Sequence, residues 1–277
     1  MINTLPQNST ISVSFESLFK YSKLDSYLCH YGFTKRSEVS GREVLLSCLN
    51  SIFMAPNLYR FFRYTNIGKS GDVSYDAAMR LMRNDRCNWQ GMLLKLSTFC
   101  CSFIPTLKTD NINCLVADDS MIERPRGKKV EQLSRQFNHV SGRHVKGFAN
   151  LSSGLTDGIS FIPVLNQLMA SSVLIRDPGK ADGRSYSARA RRYATMSKPD
   201  VLVRVCKRAL NAGIKAQCLL LDSWFFSDNL LSEMSKLGPG VISLVRNIKF
   251  APEKDSLLPS VLFVNVVSLY RFQINRR

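Results

Sequence analysis

Two short apolar runs, Cys114 to Ala117 and Gln217 to Leu221, stop abruptly at acidic residues, the first at Asp118 and Asp119 and the second at Asp222. A run of this length bounded by carboxylates reads as an interior strand whose end meets solvent. The chain must therefore build a sheet with both strands inside it and the acids at one margin, because a carboxylate left unpaired in a core is too costly to keep. If the two strands are neighbours, Asp119 and Asp222 converge although 103 residues separate them in sequence. Like charges that close call for a divalent cation between them, and Mg2+ is the expected ion, with Mn2+ as a substitute. Side chains alternate along a strand, so Asp118 and Asp119 face opposite sides and at most one of them shares a metal with Asp222. Asp119 is taken as that one. By spacing alone, the same aspartates also suit loop or cap positions.

The elements around these runs suggest an α/β chain with a helical start. Residues 15 to 104 carry apolar positions at helical spacing, among them Phe15, Leu18 and Phe19, then Val44, Leu45, Cys48 and Leu49, then Trp89, Met92, Leu93 and Leu96. Ser74 suits the N-cap of a helix from Tyr75 to Met82, whose Arg80, with Arg83 and Arg86 beyond it, makes a basic face. After residue 111 the pattern shortens to strands. His144 to Leu151 and Ile159 to Val164 read as strands separated by turn chemistry at Ser152-Ser153-Gly154 and Asp157-Gly158. Ser171 to Lys198 reads as an exposed basic insertion. A helix then starts at Pro199 and stops at Gly213, a second is capped by Ser227 and Asp228 and closes near Gly238, and Val241 to Val245 makes a fifth strand. The expected order is β-β-β-α-β-α-β, with a helical region over 1–110 and an α/β domain over 111–277.

Charge narrows the partner. The chain of 277 residues carries a formal +17, of which +5 falls in the first 110 residues and +12 in the rest. An excess of this size points to a polyanion, with nucleic acid foremost. Lys128 and Lys129 after the first strand, with Arg143 and Lys146 on the second, suit a route for a DNA backbone towards the metal. Arg189, Arg191 and Arg192 form a denser phosphate-binding group flanked by Tyr186 and Tyr193. No apolar run reaches the roughly 18 residues of a membrane span, so no membrane partner is expected, and the polar start from Met1 to Thr10 has no signal-peptide pattern. The eight cysteines show no C-x-x-C pair and are expected to be reduced core thiols. His139 and His144 are five apart, which does not suit a helical metal pair, so no zinc site is expected.

The segments Leu115-Val116-Ala117-Asp118-Asp119-Ser120, Gly127-Lys128-Lys129-Val130-Glu131, Asn138-His139, Gly147-Phe148, Asp157-Gly158, Phe161-Ile162-Pro163 and Leu220-Leu221-Asp222-Ser223-Trp224-Phe225, in that order and spacing, resemble the DDE transposases of IS4-like bacterial insertion sequences. The likeness runs from about Ser74 to Lys249. It implies an RNase H-like catalytic domain, a mixed sheet flanked by helices, with Asp119 on the first strand and Asp222 after the fourth. It further implies metal-dependent cleavage at transposon ends, strand transfer by the freed 3′-hydroxyl, duplex DNA as partner, a homodimer when complete, and a bacterial cytoplasmic, nucleoid-associated setting.

One departure matters. The family's third carboxylate is a glutamate in a Tyr-x2-Arg-x3-Glu-x6-Lys signature, and neither Glu233 nor Glu253 has that surrounding pattern. The chain is therefore expected to be truncated at its C-terminus and inactive by itself. An RNase H-fold nuclease acting by hydrolysis and a DNA-binding regulatory remnant without catalysis are the alternatives.

Overall fold

In a computed structural model that describes residues 8–34, 39–65, 73–104, 112–128, 130–138, 141–171, 182–243 and 261–263, the first strand, β1 (Cys114–Glu123), does not end at its aspartates. It runs on because a second long strand pairs with it antiparallel from Cys114↔Thr156 to Glu123↔Gly147. That continuous ladder satisfies the backbone while the side chains turn polar. Between them in sequence lies β2 (Ser134–Asn138), which pairs with the start of β3 (Arg143–Thr156). Its sequence, SRQFN, holds one apolar residue, so hydrophobic pattern gave no sign of it.

β3 also passes straight through Ser152-Ser153-Gly154, where a turn was expected. The ladder to β4 (Phe161–Met169) has a bulge between Ser153 and Gly154, and a Cβ at Gly154 would strike the Phe161 ring. The glycine thus marks a close approach inside a strand. The turn itself is at Asp157-Gly158, where Gly158 takes φ 90° and Asp157 Oδ1 accepts hydrogen bonds from the amides of Ile159 (2.9 Å) and Ser160 (2.6 Å).

Part of the expected insertion is helical, as α-helix Tyr186–Ala194. The next helix, Lys198–Asn211, starts where Ser197 Oγ accepts from the Asp200 amide and Pro199 occupies the first turn, and Gly213 lies just past it at φ 90°. β5 (Cys218–Leu221), a 3-10 turn (Ser223–Phe225), a helix over Asp228–Leu237 capped by Ser227, β6 (Gly240–Ser243) and β7 (Val261–Phe263) complete the order. The strands lie β4-β3-β1-β5-β6-β7, with β2 also on β3. Pairs among β1 to β4 are antiparallel, and β1/β5, β5/β6 and β6/β7 are parallel. This is the RNase H-like mixed sheet flanked by helices that the resemblance implied.

The core of this sheet sits on one face. Leu115, Ala117, Leu151, Leu155, Leu219 and Leu221 meet Val201, Leu202 and Val205 of the Lys198–Asn211 helix and Leu230, Leu231 and Met234 of the Asp228–Leu237 helix. Each fully buried aliphatic side chain there contributes about 1.5–3 kcal/mol. Cys114 and Cys218 are the first level pair of the β1/β5 ladder, with Cα atoms 4.6 Å apart, and are joined as a disulfide. The expectation of eight free thiols is corrected at this pair, which only the pairing of strands 104 residues apart could bring together. Cys206 keeps the expected role of a core thiol: it is fully buried, and burial pushes its pKa up to about 12.

The chain packs as two compact units, one of Met1–Met92 with Asp182–Ala188 and the other of Leu93–Ala181 with Arg189–Arg277. In the first lie α1 (Asn8–Tyr21), α2 (Leu24–Leu28), α3 (Gly41–Met54), α4 (Leu58–Arg60), a π-helical turn (Phe61–Thr65) and α5 (Tyr75–Met82), with α6 (Trp89–Phe103) starting there. Numbered on from these, α7 is Tyr186–Ala194, α8 Lys198–Asn211 and α9 Asp228–Leu237. Ser40 closes a capping box with Glu43 at the head of α3, and Ser74 Oγ accepts from the Ala77 amide at 3.1 Å, the cap that the sequence suggested. Ser74→Ala removes that acceptor and is expected to cost about 1 kcal/mol, read as a lower urea midpoint in far-UV circular dichroism, while Ser74→Asp is expected to keep most of it.

Candidate active site

The acidic margin is set by the register of two strands. In the β1/β5 ladder, Cys114, Leu115, Val116 and Ala117 are level with Cys218, Leu219, Leu220 and Leu221. Leu115 and Ala117 share the core face with Leu219 and Leu221, so by alternation Asp119 and Met121 continue that face, and Asp118 lies on the other with Val116. Met121 packs against the core, as this alternation requires. The last level pair is Ala117 and Leu221, and Asp118 and Asp222 are the residues that follow them, the Asp222 backbone being extended at φ −72° and ψ 155°. Asp119 is one residue further along β1, on the core face to which α8 contributes.

Asp222 is oriented by the 3-10 turn that it caps. Its Oδ1 accepts hydrogen bonds from the Ser223 amide (2.5 Å) and the Ser223 hydroxyl (3.1 Å), and its carbonyl accepts from the Phe225 amide (3.1 Å). Phe225, 2% exposed, is anchored in the core, while Trp224 is 52% exposed. Asp118 Oδ1 accepts from the Asp119 amide at 2.8 Å. Among the described residues, both acids thus make these bonds through one oxygen, and both are exposed. The exposed carboxylates of Asp118 and Asp222 offer hard oxygen donors, the chemistry that suits Mg2+. Among the described residues, no group of three or more His, Cys, Asp or Glu is placed to hold a metal.

Asp119 has a different partner. Lys198 Nζ lies 2.5 Å from Asp119 Oδ2, and the two side chains are 33% and 23% exposed. Lys198 is the first residue of α8, the positive end of the helix dipole, where a cation is ordinarily disfavoured. The Asp119 charge offsets this. Sequence reading missed the pair because Lys198 looked like one more charge in a basic insertion.

The basic residues separate into groups. Lys128 and Arg143 are exposed, and Arg189 and Arg192 are exposed on α7. Arg191 is half-buried and binds Glu131 in a two-pronged ion pair, with Nε on Oε1 and Nη2 on Oε2 at 3.1 Å, so it braces the fold more than it offers charge to solvent. Lys129 and His139 lie outside the described residues, as does Glu253. Among the described residues, no helix is long and apolar enough to cross a membrane.

A family model described as DDE superfamily endonuclease matches residues 71–260, more than half of the chain. No curated protein matches. Among solved structures, the chain is similar to the Drosophila P element transposase strand transfer complex, at 10% identity and a TM-score of 0.33. That alignment covers 84% of this chain and 48% of the other, so the chain spans about half the length of the structure it matches.

Proposed function

Since the chain belongs to the DDE superfamily of endonucleases, we propose that it is a transposase of the IS4-like kind, which binds duplex transposon ends and acts on their phosphodiester backbone. The observation that supports the reading is that Asp118 and Asp222 directly follow Ala117 and Leu221, the last level pair of the parallel β1/β5 ladder. In this proposal these two carboxylates hold Mg2+ or Mn2+, and Asp118 takes the place that spacing assigned to Asp119. Held by these two carboxylates, a divalent ion would supply Lewis-acid polarisation of a phosphodiester and its attacking hydroxyl. The protein's own part is to hold the two acids side by side, to keep Asp222 aimed by the Ser223 bonds, and to draw the DNA backbone in with Lys128, Arg143, Arg189 and Arg192, joined by Lys129. Cleavage at transposon ends, strand transfer and dimer formation are parts of the same proposal.

Two carboxylates grip a divalent ion less firmly than three. With no third donor beside them among the described residues, the chain alone is expected to bind duplex DNA and to nick it only weakly. The test is an end-labelled duplex with Mg2+ or Mn2+. Trace nicking that disappears in Asp222→Ala, with duplex binding retained, is the expected result. Nicking that survives Asp222→Ala would remove the metal from this margin. Binding with no divalent-dependent nicking at all would favour a regulatory role at DNA ends.

A further inference from the structure

We infer that one face of the β2/β3 hairpin is a DNA-contacting surface, on which Arg135 and Lys146 meet backbone phosphates and the Phe137 ring supplies an apolar contact. The inference rests on the reading that the chain binds duplex DNA. It adds to that reading a strand, β2, and residues that the sequence pattern did not single out.

The β1 and β4 ladders on β3 stop at Gly147 and Ala149, whereas Arg143 to Lys146 pair with β2. The two strands thus run on past the rest of the sheet as a ribbon, of a width that the major groove of B-DNA admits. Arg135 is level with Lys146 and Phe137 with His144, and level side chains of an antiparallel pair share a face. The Phe137 and His144 rings accordingly meet edge to face at 5.3 Å. Ala149 and Leu151 of β3 belong to the core, so by alternation Lys146 and His144 are on the face away from it. Arg135, Phe137 and His144 are exposed, Phe137 by 44%, and Lys146 is half-buried.

The charge on this face lacks an acid to answer it. Like charges directly opposite each other destabilise a sheet, yet Arg135 stands across from Lys146. The Arg124 amide donates to the Lys146 carbonyl at 2.8 Å, which brings a third basic residue to the same level. Strands about 4.8 Å apart place these three chains within roughly 10 Å. The paired segments SRQFN and RHVKG hold no acid, and among the described residues neither Arg135 nor Lys146 forms an ion pair. Glu123, level with Gly147, lies on the core-side face, where its Oε1 accepts from Asn138 Nδ2 at 3.1 Å. Such a row of cations is complementary to duplex DNA, which carries one negative charge per about 1.7 Å of its axis.

The ribbon is held still from its other face. Gln136 Nε2 donates to Ser134 Oγ (2.8 Å) and to the Met169 carbonyl (3.4 Å), and the Ser171 amide donates to the same Ser134 oxygen (3.1 Å). Ser134 itself is fully buried. The basic face is therefore presented on a fixed backbone, which lowers the ordering cost of binding. A rival explanation for the charge is protection, since β2 ends the path of strands and edge charges deter pairing with other chains. That leaves Phe137 unexplained, because an exposed aromatic on an edge invites the pairing that the charges would deter.

The two explanations separate in Arg135→Glu, which sets an acid opposite Lys146. The full chain is titrated against a labelled duplex by fluorescence anisotropy across a salt series, with urea unfolding of each variant followed by circular dichroism. Arg135→Glu is expected to weaken duplex binding at least about tenfold near 0.1 M salt, and to lower the slope of log affinity against log salt by about one to two. Its urea midpoint should stay level or rise, because a like-charged pair has become an opposite one. Arg135→Gln, which creates no new pair, is expected to lower the slope by about one. Phe137→Ala is expected to weaken binding about fivefold with the slope unchanged, the low end for an aromatic contact with nucleic acid. Wild-type slopes in both Arg135 variants overturn the inference while leaving duplex binding elsewhere on the chain. Tighter binding of the single strand than of the duplex, lost in Phe137→Ala, overturns the duplex as the occupant of this face. Absence of duplex binding by the wild-type chain overturns the DNA reading and this inference together.

Discussion

Replacing Phe225 with alanine is expected to lower the unfolding free energy of the sheet unit by about 3–5 kcal/mol, the usual cost of emptying a buried aromatic site. Phe225 is 2% exposed and packs into the core shared by β1, β5, α8 and α9. It is also the third residue of the 3-10 turn that Asp222 caps, and its amide donates to the Asp222 carbonyl at 3.1 Å. The anchor and the acid are thus parts of one turn, so the same substitution should loosen Asp222 and weaken Mn2+ binding. Urea unfolding followed by circular dichroism reads the first effect, and calorimetric titration of the still-folded variant reads the second. Trp224→Ala is the contrast. Trp224 is half exposed, and its truncation is expected to cost about 1 kcal/mol or less. An unchanged urea midpoint in Phe225→Ala would show that the turn is not held by its aromatic anchor.

The second large effect concerns DNA. Replacing Arg189 and Arg192 together with alanine is expected to weaken duplex binding roughly ten- to sixtyfold near 0.1 M salt, and to reduce the slope of log affinity against log salt by nearly two. These magnitudes correspond to one phosphate for each exposed arginine. Arg191→Ala is expected to behave differently, since its guanidinium is engaged by Glu131. It should leave the salt slope within about half a unit and instead lower stability. Fluorescence anisotropy with a labelled duplex across a salt series separates the two cases. Equal slopes for the double variant and the wild type would move the DNA-binding surface away from α7.

What could be read from sequence and what could not differ by the range of the interactions involved. The helix from Ser74, the first turn of α8 around Pro199 and the close of α9 near Gly238 were legible because a cap or a stop acts within one turn of chain. Gly154 misled for the converse reason. A glycine between two serines and a leucine has local turn chemistry, but its neighbour across the sheet is the Phe161 ring, and that contact decided for a strand. β2 was invisible because SRQFN has almost no apolar signal, and it is held by backbone pairing to β3.

The margin itself divides in the same way. That acids follow the apolar runs closing at Ala117 and Leu221, and that those runs lie inside the sheet, follows from the amino-acid sequence alone, because an apolar run bordered by carboxylates has few places to go in a folded chain. The charge excess likewise specified a polyanionic partner without any coordinates. That Asp119 turns to the core face, that Cys114 meets Cys218, and that Lys198 closes on Asp119 were decided only when β1 paired with its neighbours and α8 was laid across the core face. Those outcomes depend on register and on contacts between residues 79 to 104 positions apart, which no local pattern encodes, since a shift of a single residue would reverse every one of them.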